Sequence, residues 1–325
     1  MSKFQKRLFL LSLLVICISG IVIYFTVDIN TLSNLTVFKP WSIALAVFFV
    51  GIGLFLDGTR LVHLVHISNE KITFKQAVHV VFGNYFAALL TPGATGGAVA
   101  QLMFLRHAGV PTGKATVLVL VRTVVSILFL ITCLPVIFMH DANVIPGISN
   151  LSLMIISLLA FIAIFALIIA VKNNSIDHLA VYITKKIPPS KRHSFIVIYR
   201  DTKKAISLLA SSPLSMIRIF FESGLSLLAI YAVVPCLLLG LGVQADWYTV
   251  MGRMIFLNML LYFMPTPGGA GIAEGGFVLC FSSSVPSGTV GIVAVCWRLI
   301  AEYIPFLIGF YYTITVFGKD YLNKQ

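Results

Sequence analysis

The sequence predicts an all-α polytopic membrane protein, with about six full spans of ~20 residues plus two broken, re-entrant helical hairpins in an inverted repeat. Three observations predict it. Hydrophobic residues make up 59% of the 325 and charged residues 10%, against roughly 25% charged in soluble domains. The apolar runs have helix length, which excludes an outer-membrane barrel, whose spanning strands need only ~10 residues. An interruption of the form Thr-Pro-Gly followed by paired glycines occurs twice, each time inside an apolar segment.

The chain opens on the basic stretch MSKFQKR, and Leu8 to Phe25 follows as the first span. No A-x-A cleavage site follows it, so it reads as uncleaved. Lys3, Lys6 and Arg7 precede this span and only Asp28 and Lys39 follow it, which places the N-terminus in the cytoplasm by the positive-inside rule. The second span, about Trp41 to Val62, ends in a polar loop with His63, His66, Glu70, Lys71 and Lys75. Asp57 and Arg60, three apart near its end, read as a snorkelling or paired couple.

Gln76 to Leu105 is apolar but broken by Thr91-Pro92-Gly93-Ala94-Thr95-Gly96-Gly97, and Arg106, His107 and Lys114 come next. Both ends then face the cytoplasm, as in a re-entrant hairpin. Spans follow over about Ala115 to Met139 and Leu151 to Val171, joined by HDANVIPGISN, an external loop without Lys or Arg. The stretch 172–215 carries eight Lys and Arg and reads as a cytoplasmic loop attractive to anionic headgroups.

A span over about Met216 to Leu241 leads to the second broken segment, Tyr248 to Phe281, which contains LYFMPTPGGAGIAEGGF. Its prolines remove amide donors and stop a helix, and its glycines permit tight turns and close approach of backbone. The last span, about Thr289 to Phe317, precedes Lys319 and Lys324. A cytoplasmic C-terminus puts the second hairpin's entry outside, the reverse of the first. One integral-membrane domain over 1–325 is expected, with repeats over about 41–139 and 216–317.

Broken segments at matching positions of inverted repeats mark the substrate site of alternating-access transporters. Arg122 lies 30 residues after Pro92, and Arg298 lies 31 after Pro267. An arginine inside a span costs about 2.5–3.5 kcal/mol on insertion scales, so each should face a cavity or a partner. Arg298 and Glu302 share a helix face. The candidate substrate-binding residues are Arg122, Arg298, Glu274 and Glu302, with the hydroxyls of Thr91, Thr95 and Thr266. Glycines 96, 97, 268, 269 and 271 complete the set, since glycine amides and half-helix N-termini suit a phosphate.

The net charge of +12 sits in short loops and reads as topology, not as nucleic-acid binding. Cys17, Cys133, Cys236, Cys280 and Cys296 fall in apolar runs without ligand spacing, so no metal, disulfide or cofactor is expected. No HExxH or GxSxG motif points to a membrane enzyme. Two readings stay open for the site, an ion-coupled transporter of a small solute and an accessory subunit that scaffolds a partner.

Three stretches carry a family resemblance: TPGATGGAVAQ at Thr91 to Gln101, PTPGGAGIAEGGF at Pro265 to Phe277, and WRLIAEYIP at Trp297 to Pro305. With these, the chain resembles the flippase-like membrane domain of lysylphosphatidylglycerol synthases, the multiple peptide resistance factor group. It departs from that pattern at the position filled by Ala98 or Val99, where a polar or acidic residue is frequent. The resemblance implies movement of a phospholipid, aminoacylated or not, or of a polyprenyl-linked lipid between leaflets of the cytoplasmic membrane. It implies no aminoacyl transfer, a chemistry of a separate soluble domain not expected within these 325 residues. Membrane lipids are the expected partners, and the oligomeric state stays open between a monomer and a homo-oligomer.

Overall fold

Proline and glycine fix where the helices of this chain begin and stop. The structure is a computed structural model describing residues 38–141, 149–172, 212–282, 284–285 and 288–322, with scattered positions between 182 and 208. The expected first span, most of the 172–215 loop and most of HDANVIPGISN lie outside the described residues.

Helix α1 (Pro40–Ile67) starts with proline at its first turn, where no amide is needed. At 28 residues it runs to about 42 Å, beyond the Val62 end expected for this span. α2 (Phe74–Leu90) opens with a capping box between Thr73 and Gln76. It stops because Pro92 disfavours helical backbone at the residue before it, and Thr91 is extended, at φ −124° and ψ 145°. Gly93 and Ala94 then turn through positive φ, and α3 (Thr95–His107) folds back along α2. α4 (Thr112–His140) and α5 (Asn150–Lys172) follow as long apolar helices.

α6 (Pro213–Tyr231) and α7 (Val233–Gly240) form one apolar rod interrupted at Ala232. Pro235 causes the interruption, since it has no amide for the Tyr231 carbonyl four residues back. α8 (Trp247–Leu261) is capped by the Asp246 carboxylate, which accepts from the amides of Tyr248 and Thr249. After Pro265, Pro267 and three glycines at positive φ, α9 (Ile272–Phe281) completes the second hairpin. α10 (Val290–Arg298) passes through a π turn (Leu299–Tyr303) into α11 (Ile304–Leu322). The Ile304 amide reaches five residues back to Leu299, and Pro305 lacks the amide that an α-helix would direct at Ala301.

Among the described residues, four rods are long and apolar enough to cross a membrane: Pro40–Ile67, Thr112–His140, Pro213–Gly240 and Val290–Phe317. Large apolar side chains such as Phe48, Phe221, Leu225 and Leu307 stand exposed on their outer faces, as lipid-facing residues do. The chain is an all-α polytopic membrane protein.

The order long helix, broken pair, long helix occurs twice. α1 packs along α6, α2 along α11 and α4 along α8. Exchanging the halves maps α1 onto α6, each hairpin onto the other and α4 onto α10–α11, and it maps this set of contacts onto itself. Each hairpin therefore rests on the last span of the opposite half. The hairpin tips meet through an antiparallel bridge between Pro92 and Pro267.

The α2–α11 contact depends on Gly309. A Cβ there would fall 2.7 Å from the Phe82 carbonyl carbon and 2.9 Å from Phe86 Cβ, so backbone would have to move. Gly309→Ala is expected to lower stability by about 1–3 kcal/mol, read as an earlier thermal unfolding transition of the purified protein in detergent.

Candidate functional site

Between the hairpin tips and the long helices lies a cavity of about 440 Å³. Its walls come from α1, α2, α3, α4, α6, α8, α10, both tips and the π turn. Asn84, Tyr85, Gln101, Ser126, Asn258 and Tyr262 supply neutral polar surface, and Asp57, Arg60, Arg122 and Glu302 the charges.

One wall is built around the Asp57 carboxylate, which both arginines share. Arg60 Nη2 donates to Asp57 Oδ1 at 2.6 Å, and Arg122 Nη2 donates to Asp57 Oδ2. Arg60 Nη1 also donates to Ser126 Oγ at 2.9 Å and Ser223 Oγ at 2.6 Å. Arg122 Nη1 donates to Gln101 Oε1 at 2.5 Å, and Gln101 in turn donates to Asn84 Oδ1 at 2.7 Å. All three charged residues are at most 6% exposed. The Nε of each arginine has no hydrogen-bond partner among the described residues.

The other wall is built around Arg298, which is 2% exposed. Its Nη1 lies 2.8 Å from Glu302 Oε2 and donates to the Gly268 carbonyl at 2.8 Å, while its Nε lies 3.3 Å from Glu274 Oε1. The second Glu274 oxygen accepts from the Gly271 amide at 2.7 Å, capping α9. Its guanidinium also sits 5.7 Å from the Tyr303 ring centroid. Arg298 thus ties the second tip to the π turn.

The residues singled out from sequence divide on this geometry. Arg122, Glu302, Thr95, Thr266, Gly268 and Gly269 line the cavity. Thr266 Oγ1 is buried without a hydrogen-bond partner among the described residues. Arg298 and Glu274 stand behind the wall. Thr91 Oγ1 is used inside the first tip, donating to the Ala87 carbonyl and accepting from the Gly96 amide. Gly96 and Gly97 face α2, where a Cβ would lie 2.6 Å from the Ala87 carbonyl oxygen and 2.5 Å from Asn84 Oδ1. Their role is close helix approach. Gly271 serves the positive-φ turn and the Glu274 cap.

From sequence, Asp57 and Arg60 read as a couple at a span end. α1 continues ten residues past Asp57, which sets both at the cavity. The missed signal was Arg122 itself, since an arginine within a span calls for an acid and Asp57 is the acid within α1. Gln101 and Asn84 carried no sequence signal of their own.

Two further networks lie away from the cavity. Arg253 on α8 pairs with Asp141 at 2.6 Å and donates to the Cys280 carbonyl and Ser284 Oγ. Glu222 on α6 pairs with His63 at 2.8 Å and with Arg218 at 2.8 Å. Each joins helices that carry no cavity charge through these residues.

A UPF0104 membrane protein of Archaeoglobus fulgidus is 24% identical over 280 residues, which cover 83% of this chain and 85% of that protein. The family model described as the lysylphosphatidylglycerol synthase TM region matches residues 9–309. With two broken hairpins meeting at a charged cavity and a family match over nearly its whole length, this chain belongs to the lysylphosphatidylglycerol synthase TM region family.

Proposed function

We propose that the chain moves the polar headgroup of a membrane lipid between leaflets of the cytoplasmic membrane by alternating access, with both termini in the cytoplasm. The observation that carries this reading is the cavity at the meeting point of the two tips, lined by two buried guanidiniums that share one carboxylate. A charged residue at membrane depth is expensive and is kept where it meets a partner, a pathway or a ligand. The exchange symmetry of the contacts supports an inverted repeat, in which one half rocks against the other around a fixed site. The acyl chains stay in lipid while the headgroup occupies the polar cavity.

The test is headgroup translocation of fluorescent phospholipids in vesicles containing the purified chain. Arg122→Gln is expected to lower the initial rate at least tenfold while the variant keeps its elution volume and far-ultraviolet helicity. A folded variant with the wild-type rate overturns the assignment of Arg122 to the transported headgroup. Movement of none of the lipids by the wild type overturns the function. Ion-gradient-driven uptake of a small solute would then be the reading to adopt.

A further inference from the structure

We propose that the cavity selects a zwitterionic ligand, one molecule carrying an anion and a cation and no net charge. The anion lies against Arg60 and Arg122 and the cation against Glu302. This deepens the headgroup-translocation reading and rests on it for the source of the ligand.

The argument begins with the correspondence of the halves. Arg122 on α4 bonds Gln101 on α3, and Arg298 at the end of α10 pairs with Glu274 on α9. Each arginine follows its hairpin by a matching interval and meets a side chain on that hairpin's second helix. One of those partners is neutral and the other is an acid.

The charge balance of the two walls diverges as a result. On the first wall Asp57 is the acid paired with both Arg60 and Arg122, so one positive charge is in excess. On the second wall Arg298 is the base paired with both Glu274 and Glu302, so one negative charge is in excess. Glu274 also accepts from the Gly271 amide and is 5% exposed at its side chain, whereas the Glu302 side chain is 19% exposed and lines the cavity. The surplus negative charge is therefore presented by Glu302.

Unpartnered groups point the same way. The Nε atoms of Arg60 and Arg122, on side chains more than nine-tenths buried, lack a hydrogen-bond partner among the described residues, and Arg298 Nε on the second wall also lacks one but lies 3.3 Å from the Glu274 carboxylate. An excess charge costs more in a partly desolvated cavity than in water. A ligand with a single charge satisfies one wall and leaves the other uncompensated. A ligand carrying both charges satisfies both at once. Thr266 lines the cavity, and its buried hydroxyl is also without a partner among the described residues.

The shared chemistry is that of a phosphate joined to an ammonium, and it has two sources, a lipid headgroup or a free solute. The experiment measures binding to the purified full chain in nonionic detergent, read by tryptophan fluorescence, to which Trp297 on the cavity wall contributes. The probes are dioctanoyl phosphatidylethanolamine, dioctanoyl phosphatidylglycerol and soluble glycerophosphoethanolamine, a phosphodiester with the same single anion and single cation as the zwitterionic headgroup. The zwitterionic lipid is expected to bind at least tenfold more tightly than the anionic one. Gln101→Glu, which keeps the side-chain shape and cancels the first wall's excess charge, is expected to weaken both lipids at least tenfold. Glu302→Gln is expected to erase the preference between them.

Equal or tighter binding of the anionic lipid overturns the proposal, as does a Glu302→Gln protein that keeps the preference, or no binding of any probe. Glycerophosphoethanolamine binding as tightly as the lipid supports the zwitterionic site and assigns it to a free solute. The two readings fail separately. A binding preference without lipid movement in vesicles keeps this site and removes translocation, whereas equal movement of both lipids keeps translocation and removes this selectivity.

Discussion

Replacing Asp57 with alanine is expected to destabilise the protein by about 3–5 kcal/mol, the range for removing one member of a buried ion pair. The change leaves the Arg60 and Arg122 guanidiniums facing the same space with no carboxylate between them. Both are at most 6% exposed, so water compensates little of the loss. Unfolding by heat and by denaturant in detergent would measure it, with Asp57→Asn separating lost charge from lost volume. If charge is the cause, the asparagine variant falls nearly as far as the alanine variant, and adding Arg122→Gln to Asp57→Ala recovers part of the loss through non-additivity. An alanine variant within 1 kcal/mol of wild type, on the order of a median surface pair, would show that the three side chains are solvated as at a surface.

The second large effect concerns Arg298. Arg298→Ala strands Glu274 and Glu302 and removes the donor to the Gly268 carbonyl, and a loss of about 3–5 kcal/mol is again expected. The readouts of the two arginines should differ. Arg122 lines the cavity, so its loss acts on ligand affinity, while Arg298 stands behind the wall and holds the second tip to the π turn. Arg298→Ala should therefore increase amide hydrogen exchange across Pro265–Gly271. Protection of that segment unchanged from wild type would remove the positioning role. Adding Glu302→Gln to Arg298→Ala should return part of the stability, because one stranded acid is then neutral.

Much of this architecture was legible in the sequence because its determinants are local. Pro92 and Pro267 stop helices whatever surrounds them, and Gly93, Gly268 and Gly269 supply the positive φ of the tips. The arginines announced themselves by their cost in a span. What neighbours decide was less legible. Gly96 and Gly97 read as ligand-approaching glycines, yet the approach they permit is that of α3 to α2. Asp57 and Arg60 read as a boundary couple because hydropathy fades around His63 and His66, although the helix itself continues to Ile67. The contrast between Gln101 and Glu274 had no meaning before the fold set each beside its arginine.

The π turn has a consequence for how this helix tolerates change. Each residue of an α-helix turns the chain by about 100°, and a π turn accommodates one residue more than the α-helical path it replaces. Trp297 before it and Ala301 and Glu302 within it reach the cavity, and Gly309 meets Phe82 on α2 beyond it. Those two faces are in phase only because the additional residue is there. A lineage that deleted it would gain an unbroken helix and shift the angular register between the carboxylate and the glycine. It would then keep one face aligned and forfeit the other.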